Sequence, residues 1–164
     1  MRVGVTALVA AVALFPPAPP PADAAASCSR AAVEAAIAHT KPRLKLIGDS
    51  KVLIAPDQAD KVLCFDLTGD GRADMAVTIA SGGTAGDVGW LLFVPKAAAW
   101  RLAGSGTGYK LGLFRSGSRL ELVQPVYRAK DPNCCPSGGF DHTRYRWNGS
   151  GLVVARSWHT ATYR

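Results

Sequence analysis

The chain has 164 residues, which suits one domain of ordinary size with a single core. Its formal charge is +7; the apolar run near the N-terminus is too short to cross a bilayer, and no other segment is long enough. Its four cysteines show neither CxxC spacing nor an accompanying HxxxH, which excludes the common structural zinc sites.

The N-terminal region, 1–26, has the features of a signal peptide followed by a Pro/Ala-rich segment. Arg2 precedes an apolar run from Val3 to Phe15, and small residues suited to signal peptidase follow the prolines. We therefore expect a secreted or cell-surface protein. The stretch "AASC" before Cys28 resembles the motif of lipid-modified cysteines, but the Pro-rich stretch separates it from the apolar run, so no lipid anchor is expected.

One helix is predicted at the start of the mature chain, in "SCSRAAVEAAIAHT". Alanine is the best helix former, and either Ser27 or Ser29 can cap the first turn. Val33 and Ile37 make a narrow apolar stripe, and Pro42 ends the helix.

The pattern in the rest of the chain predicts strands joined by short turns. Apolar or alternating segments are "LKLI", "KVLI", "KVLCF", "MAVTIA", "VGWLLFV", "AAAWRLA", "YKLGLF", "RLELV", "TRYRW" and "GLVVARSW". "RSGS" and "NGS" are hairpin turn signals between neighbouring segments. These patterns predict a single globular α+β domain at 27–164, with the N-terminal helix packed on an antiparallel meander sheet of about six to eight strands.

The cysteines are Cys28, Cys64, Cys134 and Cys135, which allow three complete pairings. Export would permit disulfides. We favour Cys28–Cys64, which would tie the helix to the strand that precedes an aspartate-rich loop. Cys134 and Cys135 are then left to each other or as thiols.

The aspartate-rich loop has the sequence "DLTGDGRAD" between two apolar segments. Oxygen ligands in a flexible loop with a central glycine suit Ca²⁺ better than Mg²⁺. The candidate metal ligands are the side chains of Asp66, Thr68, Asp70 and Asp74 and the backbone carbonyl of Arg72. The alternative is an ordinary turn, in which the aspartates accept hydrogen bonds from backbone amides.

Two resemblances support this interpretation. "DLTGDGRAD" is similar to the calcium loop of FG-GAP and VCBS repeats, D-x-[DNT]-G-D-G-x-x-D between two strands. That resemblance implies a Ca²⁺ site at the same five residues, but a single copy does not imply the propeller fold. "CFDLTGDGRADMAV", "SGGTAGDVGW", "DPNCCPSGGFDH" and "RYRWNG" together resemble a family of small secreted actinobacterial proteins, which implies export and no particular activity.

Two functions from different classes follow. The first is an exported, non-enzymatic binding or interaction domain with one Ca²⁺-stabilised loop. The alternative is a secreted hydrolase, in which Cys134 or Cys135 is the nucleophile and His142 is its base. The hydrolase requires a free thiol within hydrogen-bonding reach of a histidine.

The C-terminal half is strongly basic. After Pro95 there are eleven Lys and Arg residues and only three acidic residues. Alternation puts Arg144 and Arg146 on one face of a strand, and the hairpin returns Arg156 beside them; Arg128 and Lys130 are further candidates. Such a strip would bind an anionic polymer, for example in the cell wall; the alternative is that these charges only confer solubility.

Overall fold

The computed structural model describes residues 28–46, 50–97 and 99–163. The predicted signal peptide and Pro/Ala-rich segment lie outside these residues. The elements are the helix α1 (Arg30–Thr40), a single 3-10 turn (Pro56–Gln58), and the strands β1 (Arg43–Leu44), β2 (Val52–Leu53), β3 (Ala59–Phe65), β4 (Asp74–Ala80), β5 (Asp87–Lys96), β6 (Ala99–Thr107), β7 (Gly112–Ser116), β8 (Arg119–Pro125), β9 (Phe140–Trp147) and β10 (Leu152–Thr160). No helix within the described ranges is long and apolar enough to cross a membrane.

The predicted helix is confirmed, and Ser29 is its cap. The Ser29 hydroxyl accepts a hydrogen bond from the Ala32 amide at 3.2 Å. Lys41 ends the helix in the left-handed conformation and donates its amide to the Ile37 carbonyl, immediately before Pro42. Val33 and Ile37 are buried, as the apolar stripe predicts.

Two four-stranded antiparallel sheets make up most of the domain. The first sheet has the order β3-β4-β5-β6, the second has the order β7-β8-β9-β10, and β1 and β2 pair as a short separate hairpin. Every pair joins strands that are consecutive in the chain, so the predicted meander is correct within each sheet.

The prediction of one sheet of six to eight strands is wrong, and the domain is mostly β. The reason lies in β4 and β5, which are apolar on both faces. Met75 and Phe93 point to α1, whereas Ala76 and Leu92 point to the opposite face. A sheet with two apolar faces needs cover on both sides. The helix covers one face, and the chain turns after Thr107 so that β7–β10 form a second sheet over the other.

The second sheet has an inner and an outer face. Leu120 and Leu122 of β8 pack in the core between the two sheets. Arg119 and Glu121 alternate with these leucines and therefore point outward. The C-terminal Tyr163 returns to this sheet, where its ring contacts Phe114 and Phe140 edge-on at centroid distances of 5.9 and 5.2 Å.

Both cysteine pairs form disulfides. Cys28–Cys64 is confirmed, with Cα atoms 5.8 Å apart, and joins the start of the helix to β3. Cys134 is bonded to Cys135 on the exposed loop between β8 and β9. The Cys28 sulfur is thus occupied by a disulfide in this structure.

Candidate functional site

The predicted aspartate-rich loop, residues 66–74, connects β3 to β4, and we call it the Asp loop. The Asp66 carboxylate organises its first half. One Asp66 oxygen accepts the amides of Gly69 at 2.6 Å and Asp70 at 3.2 Å, and the other accepts the amide of Gly71 at 2.9 Å. Gly69 and Gly71 have φ values of +80° and +81°, which side chains rarely adopt. The glycines therefore let the backbone curl around a single carboxylate.

The middle of the loop is tied to a neighbouring turn. Asp70 Oδ1 accepts the Arg72 amide at 2.9 Å. The Arg72 guanidinium donates to the Ala97 carbonyl at 3.3 Å, in the turn between β5 and β6. The Arg72 side chain thus extends away from the loop, as expected if only its backbone carbonyl were available to a cation.

Asp74 differs from the other two aspartates because it is only 1% exposed. Its Oδ2 accepts the amides of Leu67 at 2.8 Å and Thr68 at 2.9 Å. Burial raises the pKa of this carboxyl, and these two amides together with the nearby Thr68 hydroxyl only partly oppose that effect. Asp74 Oδ1 and Thr68 Oγ1 are both buried and, among the described atoms, neither has a hydrogen-bond partner. The two side chains lie near each other without adopting hydrogen-bonding geometry.

Most described contacts of the five expected ligands are hydrogen bonds within the loop itself, and the ligand set stays a prediction. Within the described ranges no group of three or more His, Cys, Asp or Glu residues has an arrangement that could hold a metal ion. Asp66 and Asp70 accept backbone amides, which is the geometry of the ordinary-turn alternative. Thr68 Oγ1 and Asp74 Oδ1 are hard oxygen donors without partners, so the inner wall of the loop suits a hard cation chemically.

The loop that carries Cys134 and Cys135 is held by its own polar contacts. Asp131 accepts the amides of Arg128 and Ser137, both at 2.7 Å, and the Ser137 hydroxyl at 2.6 Å. Hydrogen bonds from Ser137 are the main cause of a lowered pKa at Asp131. The sulfurs are exposed but bonded to each other, and no free cysteine occurs among the residues that the structure describes.

His142 is buried beneath the outer face of the second sheet and has two polar partners. Its Nδ1 lies 3.2 Å from Glu121 Oε1, and its Nε2 lies 2.8 Å from the Thr160 hydroxyl. Its ring stacks on Trp158 with centroids 4.8 Å apart. With both ring nitrogens engaged and both sulfurs oxidised, this arrangement lends no support to a Cys–His hydrolase.

Glu121 is a buried acid that joins two basic side chains. Arg144 donates to Glu121 Oε2 from Nη2 at 2.8 Å and from Nε at 3.1 Å. Burial raises the pKa of Glu121, but the hydrogen bonds and charges of Arg144 and His142 outweigh burial and leave it below its ordinary value. Arg144 is therefore largely neutralised by Glu121.

Four arginines share the outer face of the second sheet, and we call this set the basic face: Arg119, Arg144, Arg146 and Arg156. Arg144 lies opposite Glu121 on one side and Arg156 on the other, and Arg146 follows two residues along the same strand. The guanidinium carbons of Arg144 and Arg156 lie 4.9 and 5.1 Å from the centre of the Trp158 ring. The sequence-based grouping of Arg144, Arg146 and Arg156 agrees with this register.

Some members of this surface differ from the prediction. Arg128 and Lys130 lie in the exposed segment after β8, outside the strand pairing that aligns the basic face. The prediction from sequence did not include Arg119, Glu121 or Trp158. The alternation in "RLELV" could have predicted that Arg119 and Glu121 share one face, because both alternate with leucines.

Comparisons with protein-family models, with curated proteins and with solved structures found no match. The function is therefore inferred from the site itself.

Proposed function

We propose that this protein is an exported, non-enzymatic binding domain for an anionic polymer, and that one Ca²⁺ ion stabilises its Asp loop. The observation that carries the proposal is the basic face. Its four guanidinium groups lie on three adjacent strands and share the surface with one acidic side chain, Glu121.

The charge balance of this face favours an extended anionic partner. Arg144 pairs with Glu121, whereas Arg119, Arg146 and Arg156 are exposed. Arg156 rests over Trp158, which limits its side-chain freedom before binding. Several cations aligned on one sheet release counterions when a polyanion binds, so affinity should fall steeply as salt rises.

Export is supported by the Cys28–Cys64 disulfide, because such bonds persist in oxidising compartments. An extracellular protein meets polymers that carry repeated carboxylates or phosphates. The hydrolase alternative would require reduction of the Cys134–Cys135 bond and the approach of a histidine, and no contact within the described ranges favours it.

Retention on immobilised polyphosphate in a salt gradient tests polymer binding. The double variant Arg146→Gln/Arg156→Gln should elute at lower salt than the wild type. Arg144 is left unchanged, because its loss would leave Glu121 buried without its main partner. The control Arg43→Gln/Lys51→Gln removes two exposed charges elsewhere and should elute closer to the wild type. Equal retention of all three proteins at every salt concentration would contradict the proposal.

The calcium part of the proposal is supported by Thr68 Oγ1 and Asp74 Oδ1, the two buried oxygens without partners. Asp66, Asp70 and the Arg72 carbonyl would complete the ligands after a small rearrangement of the loop. An ion that binds only the folded state stabilises it by about 2.7 kcal/mol at 100 times its Kd.

Thermal unfolding with and without Ca²⁺ tests this part. Millimolar Ca²⁺ should raise the wild-type Tm more than Mg²⁺ does, and Asp70→Asn should remove that increase. Asp57→Asn is the matched control, because it deletes an exposed carboxylate outside the loop and should keep the increase. A wild-type Tm unaffected by Ca²⁺, with no heat of binding by calorimetry, would refute the ion.

A further inference from the structure

A cleft of about 450 Å³ lies beside the Asp loop, at the end of the two sheets. Three separate segments form its walls: the Asp loop, the strands on either side of the β5–β6 turn, and the β9–β10 hairpin. The residues that line it include Thr68, Asp70, Pro95, Lys96, Arg101 and Trp147. The volume falls within the range of small-molecule sites, roughly 300–1,000 Å³.

The lining combines an apolar surface with two cations. Part of the Trp147 side chain packs against the core between the sheets, which holds its ring in place. The rest of the Trp147 side chain faces the cleft beside Pro95. Lys96 and Arg101 are exposed, and within the described part of the chain neither makes an ion pair or a side-chain hydrogen bond. Asp70 is exposed and adds carboxylate oxygens on the opposite wall.

We infer that this cleft binds a single sugar ring that carries a carboxylate, as in the uronic-acid units of an acidic polysaccharide. The C–H face of a sugar ring can lie on Trp147 and Pro95, which are apolar. Lys96 and Arg101 can then hold the carboxylate, and the exposed Asp70 carboxylate can accept a hydrogen bond from a ring hydroxyl. A bare phosphate has no apolar face to lie on Trp147, and a neutral sugar has no charge for the two cations.

Two of the three walls are linked before any ligand binds, and the third is held by its own turn. The contact between the Arg72 side chain and the Ala97 carbonyl joins the Asp loop to the β5–β6 turn. The hairpin wall turns tightly at Asn148, whose side chain accepts the amides of Ser150 and Gly151 at 3.0 Å. Linked walls lose less conformational entropy when a ligand is bound.

This inference deepens the proposed function and rests on it, because it assigns the ring that one unit of the polymer would contribute. The test compares two probes by calorimetry at fixed salt: oligogalacturonate, which carries sugar carboxylates, and inorganic polyphosphate, which has no ring. The variants are Trp147→Leu and Arg101→Gln, with Arg43→Gln as the matched exposed control. Arg101→Gln is included because it is exposed and leaves the core untouched.

The wild type should prefer oligogalacturonate. Both cleft variants should weaken oligogalacturonate binding by about tenfold, the effect of one charge-assisted hydrogen bond or one aromatic contact. Polyphosphate binding, which depends on the basic face, should change less than twofold in either cleft variant. Unchanged oligogalacturonate affinity in both variants would overturn the cleft inference while leaving the basic face intact. If neither probe binds the wild type, the proposed function and the cleft inference both fail.

Discussion

Replacing Asp74 with asparagine separates the two interpretations of the Asp loop, because it should stabilise the calcium-free protein. The carboxylate is 1% exposed, and its Oδ1 is one of the two unpartnered oxygens. In Asp74→Asn the amide oxygen can keep the hydrogen bonds from Leu67 and Thr68, and the new NH₂ group can donate to Thr68 Oγ1. The variant therefore removes a buried charge and replaces the unpartnered oxygen with a group that can donate to the Thr68 hydroxyl oxygen.

The size of the effect follows from the unmet acceptor. A buried polar atom without a partner costs about 1–3 kcal/mol. Since the asparagine also loses charge-assisted character in the two bonds that remain, we expect the calcium-free free energy of unfolding to rise by about 1 kcal/mol. In saturating Ca²⁺ the order should reverse, because the wild type gains a ligand that the variant cannot hold as well.

Urea unfolding in EGTA and in Ca²⁺, followed by circular dichroism, measures both values. Asp66→Asn is the informative comparison within the same loop. Both Asp66 oxygens already accept amides, so that variant should lose about 1 kcal/mol without Ca²⁺. If Asp74→Asn is instead less stable than the wild type in EGTA, Oδ1 has a partner in solution and the reasoning is refuted.

Two further predictions concern the disulfides and the buried acid. Loss of Cys28–Cys64 through Cys28→Ser/Cys64→Ser should cost roughly 3–4 kcal/mol by the chain-entropy model, whereas loss of the adjacent Cys134–Cys135 bond, which closes almost no chain, should cost about 1 kcal/mol or less. Equal losses in urea unfolding would contradict this contrast. Glu121→Gln should destabilise the protein by about 1.5–3 kcal/mol at neutral pH, because it removes charged hydrogen bonds. Since the folded pKa of Glu121 is lowered, its stabilising contribution is complete above the ordinary value of 4.5 and is lost as the pH falls through the folded value. A difference from wild type that is the same at pH 7 and pH 3 would argue against this coupling.

Local chemistry explains which parts of the fold could be predicted from sequence. Three features could be predicted because each depends only on residues nearby in the sequence: the Ser29 cap, the end of the helix before Pro42, and the Asn148–Gly149 turn. The division into two sheets depends instead on packing between distant segments. Gly106, for example, leaves the room that Trp90 occupies, since a Cβ there would lie 2.5 Å from the indole nitrogen. No pattern along the chain records that contact.

The same distinction applies to the candidate site. The position of the Asp loop was evident, because glycine and aspartate mark a turn between strands. The sequence pattern gives no reason to distinguish Asp66, Asp70 and Asp74. Only Asp74 is buried, because it is also the first residue of β4. The neutralisation of Arg144 by Glu121 depends on the register between β8 and β9, which alternation within one strand cannot supply.

The pairing of strands only with their neighbours in the chain has a consequence for how the domain folds. Each hairpin closes a short loop, so the entropy lost at each pairing step is small, and both sheets can grow from local contacts. Distant parts of the chain are joined when α1 and the β7–β10 sheet dock onto opposite faces of the first sheet. We expect these docking steps to limit the folding rate, and a chain that ends before β7 to leave the apolar face around Trp90 and Leu92 open to self-association.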